Sequence, residues 1–288
     1  MAYSYFLGNP KVIQAMLKTA RTKVLLSETE KRIMERFGYI ILRVFGYPLA
    51  TPSRHVRKMM LNFIKSERIK NGKLLDIGCS IGHDSLELAK RRGYRVVGID
   101  IDKVSIDTAQ EIKDILRIKN ASFLNMDILQ SKFKDEEFDT IIMLEILEHL
   151  KNDFQAIREI SRVLKKGGIL ILSTPYSSGG QKFSHAKRSL RLKEDMDERY
   201  FKKLFPGGFH WKNGYDENSI ESLLKKTGLK ITDVNFVCLP RIIPELEERT
   251  RIFFPLTYFL SLFTKFFSSN KLKIVVKAKK FSSGHWAG

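Results

Sequence analysis

The sequence predicts an α/β fold: a seven-stranded, mostly parallel sheet with helices on both faces, helices ahead of it and an insertion near its C-terminal end. Three observations predict this. Between residues 73 and 173, short apolar runs alternate with stretches whose apolar residues recur at helical spacing. Glycine turns punctuate the runs, at Gly78 to Gly82 and at Gly167-Gly168. The runs themselves are apolar on consecutive positions, as in Leu74-Leu75 and Ile141-Ile142, the pattern of strands covered on both faces.

Residues 1–70 read as a helical cap. Val12, Ile13, Met16 and Leu17 share one helical stripe, and Ile33, Phe37, Ile40, Ile41 and Val44 share another. Tyr47-Pro48 and Thr51-Pro52 interrupt, and Ser53 is placed to cap a third helix reaching Ser66. Residues 71–175 form the ligand-binding core. Its predicted strands are 73–77, 94–99, 121–125, 138–144 and 168–173, with helices over 83–92, 103–118 and 154–165 between them. Asp102 is placed to cap the second of these helices. Residues 176–215 are an irregular, charged insertion. Residues 216–288 return to the sheet with a helix over 217–227 and strands over 229–239 and 271–280, interrupted by a hydrophobic insertion at 240–270.

With 43% hydrophobic residues in 288, the chain can bury a full core. Its two cysteines, Cys79 and Cys238, fit neither a disulfide framework nor a metal-ligand spacing, and no basic segment followed by an apolar run opens the sequence. A cytoplasmic location is expected. The net charge of +19 sits in the two flanks, while the centre is close to neutral. Basic flanks point to an anionic partner such as lipid headgroups, nucleic acid or a phosphorylated substrate, or to nothing more than solubility.

The turn Asp76-Ile77-Gly78-Cys79-Ser80-Ile81-Gly82 joins the first strand to its helix, and the second strand ends at Asp100. An acid there can accept from both hydroxyls of a ribose. The dinucleotide fingerprint requires glycine where this chain has Ser80 and His83, so a nicotinamide dinucleotide is disfavoured. A carboxylate at Asp76 would repel a pyrophosphate and attract an ammonium or sulfonium.

Asp-x-Gly-x-Ser-x-Gly resembles the first motif of class I S-adenosylmethionine-dependent methyltransferases, whose fold is Rossmann-like. Val96-Val97-Gly98-Ile99-Asp100, Asn125-Met126-Asp127-Ile128, Phe138-Asp139-Thr140-Ile141-Ile142 and Lys165-Lys166-Gly167-Gly168 resemble the later motifs in register. The resemblance is close over about residues 70–175 and looser over 210–239. It implies S-adenosylmethionine as cofactor, held by Asp76, Gly78, Ser80 and Gly82 at the turn and by Asp100 at the ribose. Asp127 would accept from the adenine amino group, with Ile101, Met126 and Ile128 around the ring. Leu144 and Glu145 would flank the methionine part. Ser80 departs from the usual glycine. Arg54 and Arg57 are family-like clamps for the cofactor carboxylate, or solvated arginines.

Leu144-Glu145-Ile146-Leu147-Glu148-His149-Leu150 is similar to the stretch found in ubiquinone-biosynthesis O-methyltransferases and their small-molecule relatives. It makes His149 a candidate general base. Glu145, Glu148 and His149 are spaced i, i+3, i+4; on a helix they would share a face able to hold a divalent cation, or His149 would serve as a structural hydrogen-bonding residue. His210 and Tyr215 resemble the family's acceptor-pocket residues, and Tyr176 is a third candidate. The aromatic run 252–267, with basic neighbours between 249 and 273, suits peripheral membrane contact, a lid over a lipid-like acceptor, a dimer contact or a helix packed on the sheet. The reading is a methyltransferase acting on a small-molecule or lipid-like acceptor, with O-methylation favoured. An RNA methyltransferase and a non-catalytic cofactor-binding scaffold are the alternatives; no RNA-binding module is recognisable.

Overall fold

The computed structural model describes residues 9–18, 36, 51–67, 72–177, 214–240 and 270–281. Seven strands form one sheet: β1 (Lys73–Ile77), β2 (Arg95–Asp100), β3 (Ala121–Asn125), β4 (Phe138–Leu144), β5 (Leu164–Pro175), β6 (Leu229–Leu239) and β7 (Asn270–Lys280). Their order is β3-β2-β1-β4-β5-β7-β6, with β7 antiparallel to both its neighbours and the pairings from β3 to β5 parallel. The expected α/β class is therefore met. The direction of winding reverses between β1 and β4, and open sheets place ligands at the carboxyl ends of the strands flanking such a reversal.

The alternation of side chains along each strand sorts the core into two layers. Leu74, Ile142, Ile169 and Ile171 face α1 (Pro10–Lys18), α2 (Thr51–Ser66), α3 (His83–Arg92) and α4 (Lys103–Ile115). Leu75, Ile141, Leu170 and Leu172 face α5 (Asp153–Val163) and α6 (Glu217–Lys225). Asp102 caps α4 as its sequence position foretells, accepting from the amides of Val104 and Ser105 at 3.2 Å each. Elsewhere the boundaries move. α2 starts at Thr51, ahead of the expected cap Ser53, because proline at the first turn costs a helix nothing. β5 starts at Leu164 and absorbs the expected turn at Gly167-Gly168 through an irregularity in its register with β4. Among the described residues, no helix is long and apolar enough to cross a membrane. The second expected N-terminal helix and nearly all of the hydrophobic insertion at 240–270 lie outside the described residues.

Candidate cofactor and acceptor site

The glycine turn leaves β1 at its carboxyl end. Gly78, with φ +74°, lies so close to the stretch after β4 that a Cβ there would overlap the side chain of Ile146. The amides of Gly78 and Cys79 both donate to the Ile99 carbonyl, at 2.8 and 3.0 Å, which binds the turn to β2. Ser80 takes the left-handed conformation at φ +49°, filling a position that favours glycine. Beneath the turn, Asp76 is 5% exposed and accepts from the Ser85 hydroxyl at 2.6 Å. Burial pushes its carboxyl up to about 7, against the lowering pull of that hydroxyl.

Asp100 ends β2 beside this turn. Its two carboxylate oxygens accept from separate amides, Ser80 at 2.8 Å and Asp102 at 2.9 Å, which fixes the plane of the group. Asp127 accepts from the Leu129 amide at 2.9 Å and so caps a short turn over Ile128–Gln130. Of the apolar residues expected around an adenine, Ile101 is exposed, Met126 is half-buried and Ile128 is packed into the core.

The end of β4 forms the other wall. Glu145 is left-handed at φ +59°; its amide donates to the Ser173 carbonyl at 3.0 Å and its carboxylate accepts from the Ser173 hydroxyl at 2.7 Å and pairs with Lys273 of β7. Glu148, 1% exposed, accepts from the Thr174 hydroxyl at 3.2 Å, and burial followed by the charge of Glu145 pushes its carboxyl well above the usual range. His149 is half-buried and closes a single 3-10 turn over Leu147–His149 through its amide bond to the Ile146 carbonyl. Past β5, Tyr176 and Tyr215 form a parallel bridge, and the Tyr176 ring meets Phe236 edge-on at 5.6 Å. The Lys271 ammonium lies 3.7 Å from the Phe236 ring centroid and 2.8 Å from Glu217.

The profile of the methyltransferase domain family matches residues 69–233, more than half of the chain. The chain belongs to that family. The chain is 31% identical to the ubiquinone biosynthesis O-methyltransferase of Pelagibacter ubique, over 63% of its own length and 75% of the relative's. It is 26% identical to the mitochondrial ubiquinone biosynthesis O-methyltransferase of Dictyostelium discoideum, covering 56% of this chain and 50% of that protein. It is 32% identical to the chloroplastic tocopherol O-methyltransferase of Arabidopsis thaliana, covering 38% of this chain and 32% of that one. The chain thus spans half or less of the length of two of these relatives.

Solved structures extend the likeness of fold. Phosphoethanolamine N-methyltransferase 2 of Haemonchus contortus, in complex with S-adenosylhomocysteine, superposes with a TM-score of 0.59 at 19% identity, covering 89% of this chain and 61% of that one. The [4+2]-cyclase SpnF superposes with a TM-score of 0.55 at 20% identity, covering 79% and 81%. One fold therefore serves more than one chemistry.

The chain brings Asp76, Gly78, Ser80, Gly82 and Asp100 together at the reversal point, with Leu144 and Glu145 opposite them. Three expectations need correction. Arg57 does not reach out as a carboxylate clamp: it is 1% exposed and its guanidinium is held by Asp84 and Glu87 of α3. Tyr215 is a packing residue, its ring in the core and its hydroxyl donated to Asp153 at 2.6 Å. Glu145, Glu148 and His149 do not share a helical face, because Glu145 is left-handed and only one 3-10 turn follows it. Among the described residues no three His, Cys, Asp or Glu side chains gather as a metal site. His210 lies outside the described residues, and so does the rest of 178–213. Sequence reading missed Ser85 and Lys273. A serine inside a helix carries no local signal, and Lys273 stands 128 residues from the glutamate it pairs with.

Proposed function

We propose that the chain transfers a methyl group from S-adenosylmethionine to an oxygen of a small, lipid-like acceptor. The observation that carries the reading is the pair of acids beside the glycine turn, Asp100 fixed by two amides and Asp76 buried below. Two carboxyls suit a diol and a cation, and they would repel a pyrophosphate. The residues present fit the cofactor. Asp100 would hold the ribose hydroxyls, the backbone of Gly78 to Gly82 and Leu144-Glu145 the methionine part, and Asp127 the adenine amino group, beside Ile101 and Met126.

When bound, the cofactor supplies a methyl group already activated by its sulfonium. What remains for the chain is to orient the acceptor, exclude water and accept a proton. His149, at the wall beside the turn, would take the acceptor's hydroxyl proton on a ring nitrogen as that oxygen accepts the methyl group. Oxygen as the reacting atom and a lipid-like acceptor are supported by the names of the ubiquinone and tocopherol relatives and by the aromatic run 252–267.

The test is incubation with methyl-labelled cofactor and fractionated cell extract. Label in an organic-soluble small molecule, lost in His149→Ala, is expected. Label in RNA would overturn the acceptor class, and cofactor binding without labelling of any fraction would make the chain a scaffold.

A further inference from the structure

We propose that Arg57 is a positioning residue of the cofactor site: from the helical cap it fixes the first turn of α3, so that Ser85 holds the Asp76 carboxyl beneath the glycine turn. The inference rests on the reading above only in that Asp76 faces the cofactor.

A guanidinium removed from water costs several kcal/mol unless its charge and donors are met. Arg57 meets both requirements on a single helix: it donates to Glu87 at 3.0 Å and pairs with Asp84. These residues are three apart on α3 and face the same way, with Ser85 between them in sequence. A rigid, planar fork across two carboxylates fixes both the height and the rotation of that turn, which a single ammonium cannot do. The turn has need of it. α3 is preceded by Gly82 at φ +75°, a cap residue with no side chain to accept from its first amides. Ser85, wholly buried, then donates to Asp76 at 2.6 Å. A displacement of α3 by a fraction of an ångström would loosen that bond.

The charge of Arg57 acts as well. Around Asp76 stand Asp84 of α3 and Asp100 of β2, which raise its proton affinity, and Arg57 of α2, which lowers it. Cys79 of the turn faces the same carboxyl with its thiol pushed up by burial. His83 is held down to about 4 by burial and by Arg57, so it contributes no charge near neutrality.

The experiment is calorimetry of S-adenosylhomocysteine binding between pH 6 and 8, together with carbon NMR of the Asp76 carboxyl in unliganded protein. Arg57→Lys keeps the charge but loses the fork. It is expected to weaken binding about tenfold, as is Ser85→Ala, and the double variant is expected to be no weaker than Ser85→Ala alone. Arg57→Met is expected to move the Asp76 titration above its wild-type midpoint. Glu87→Gln, which loosens the same fork from the other side, serves if Arg57→Lys does not fold and should show the same non-additivity with Ser85→Ala. Losses that multiply in the double variant, or an Asp76 titration indifferent to Arg57→Met, would overturn the proposal. Wild-type protein that ignores the cofactor, while Arg57→Met still moves the Asp76 titration, would sink the proposed function and leave this positioning role standing.

Discussion

Asp76 shows how one carboxyl can be chosen for its ligand by its surroundings. In water it would be ionised at any pH above about 4. Under the glycine turn it is half-protonated near 7. A cationic ligand restores the ionised form, so binding in this range must release a proton. Cofactor affinity is therefore expected to fall about tenfold between pH 8 and pH 6, and Asp76→Asn should bind weakly with no such slope. Calorimetry in two buffers of different ionisation enthalpy would count the proton directly; a flat profile in wild-type protein would show that Asp76 does not face the cation. Gly78 is constrained by shape instead. Its φ of +74° and the side chain of Ile146 both exclude a Cβ. Gly78→Ala should cost about 1–3 kcal/mol in urea denaturation, and adding Ile146→Ala should recover the share due to overlap but not that due to backbone strain.

The elements were largely readable from the chain because their signals are local. Consecutive apolar positions gave β1, β2 and β4, and Asp102 gave the start of α4. Removing that cap by Asp102→Ala should cost about 1 kcal/mol, read as a lower melting temperature with the fold intact by circular dichroism. What stayed hidden depends on contacts distant in sequence or on backbone choices that composition does not record. The antiparallel insertion of β7 between β5 and β6 is a matter of pairing, to which hydrophobic pattern is indifferent. The Glu145-to-His149 stretch has the spacing of a helix, yet Glu145 is drawn into the left-handed region by the Ser173 carbonyl and by Lys273. The acids at the turn were found because their places along β1 and β2 are fixed by the fold. Ser85 was not, since it is explained only by a neighbour on another element, and Arg57 was read as a clamp on the cofactor rather than as a support of the turn.

The molecule as a whole carries its site at a cost that depends on pH. Asp76 and Glu148 bind protons more tightly folded than unfolded, because both are buried. Their contribution to stability is complete below the ordinary carboxylate range and is lost as pH rises through their folded values. His83 works in the opposite direction: with its folded value near 4 against 6.5 unfolded, it takes stability away as pH falls below 6.5. From pH 6.5 to 8 the unfolded histidine loses its remaining charge, which returns about 0.4 kcal/mol of stability, less than the two acids lose. Unliganded protein should therefore grow less stable from pH 6.5 to pH 8, with Asp76 alone accounting for about 1 kcal/mol of the loss. Chemical denaturation at the two pH values measures this difference. Asp76→Asn should shrink it, and saturating S-adenosylhomocysteine should shrink it too if, as proposed, its ammonium meets the same carboxylate that burial penalises. If stability instead rises over this interval, the buried acids are not the groups that set the pH response of the fold.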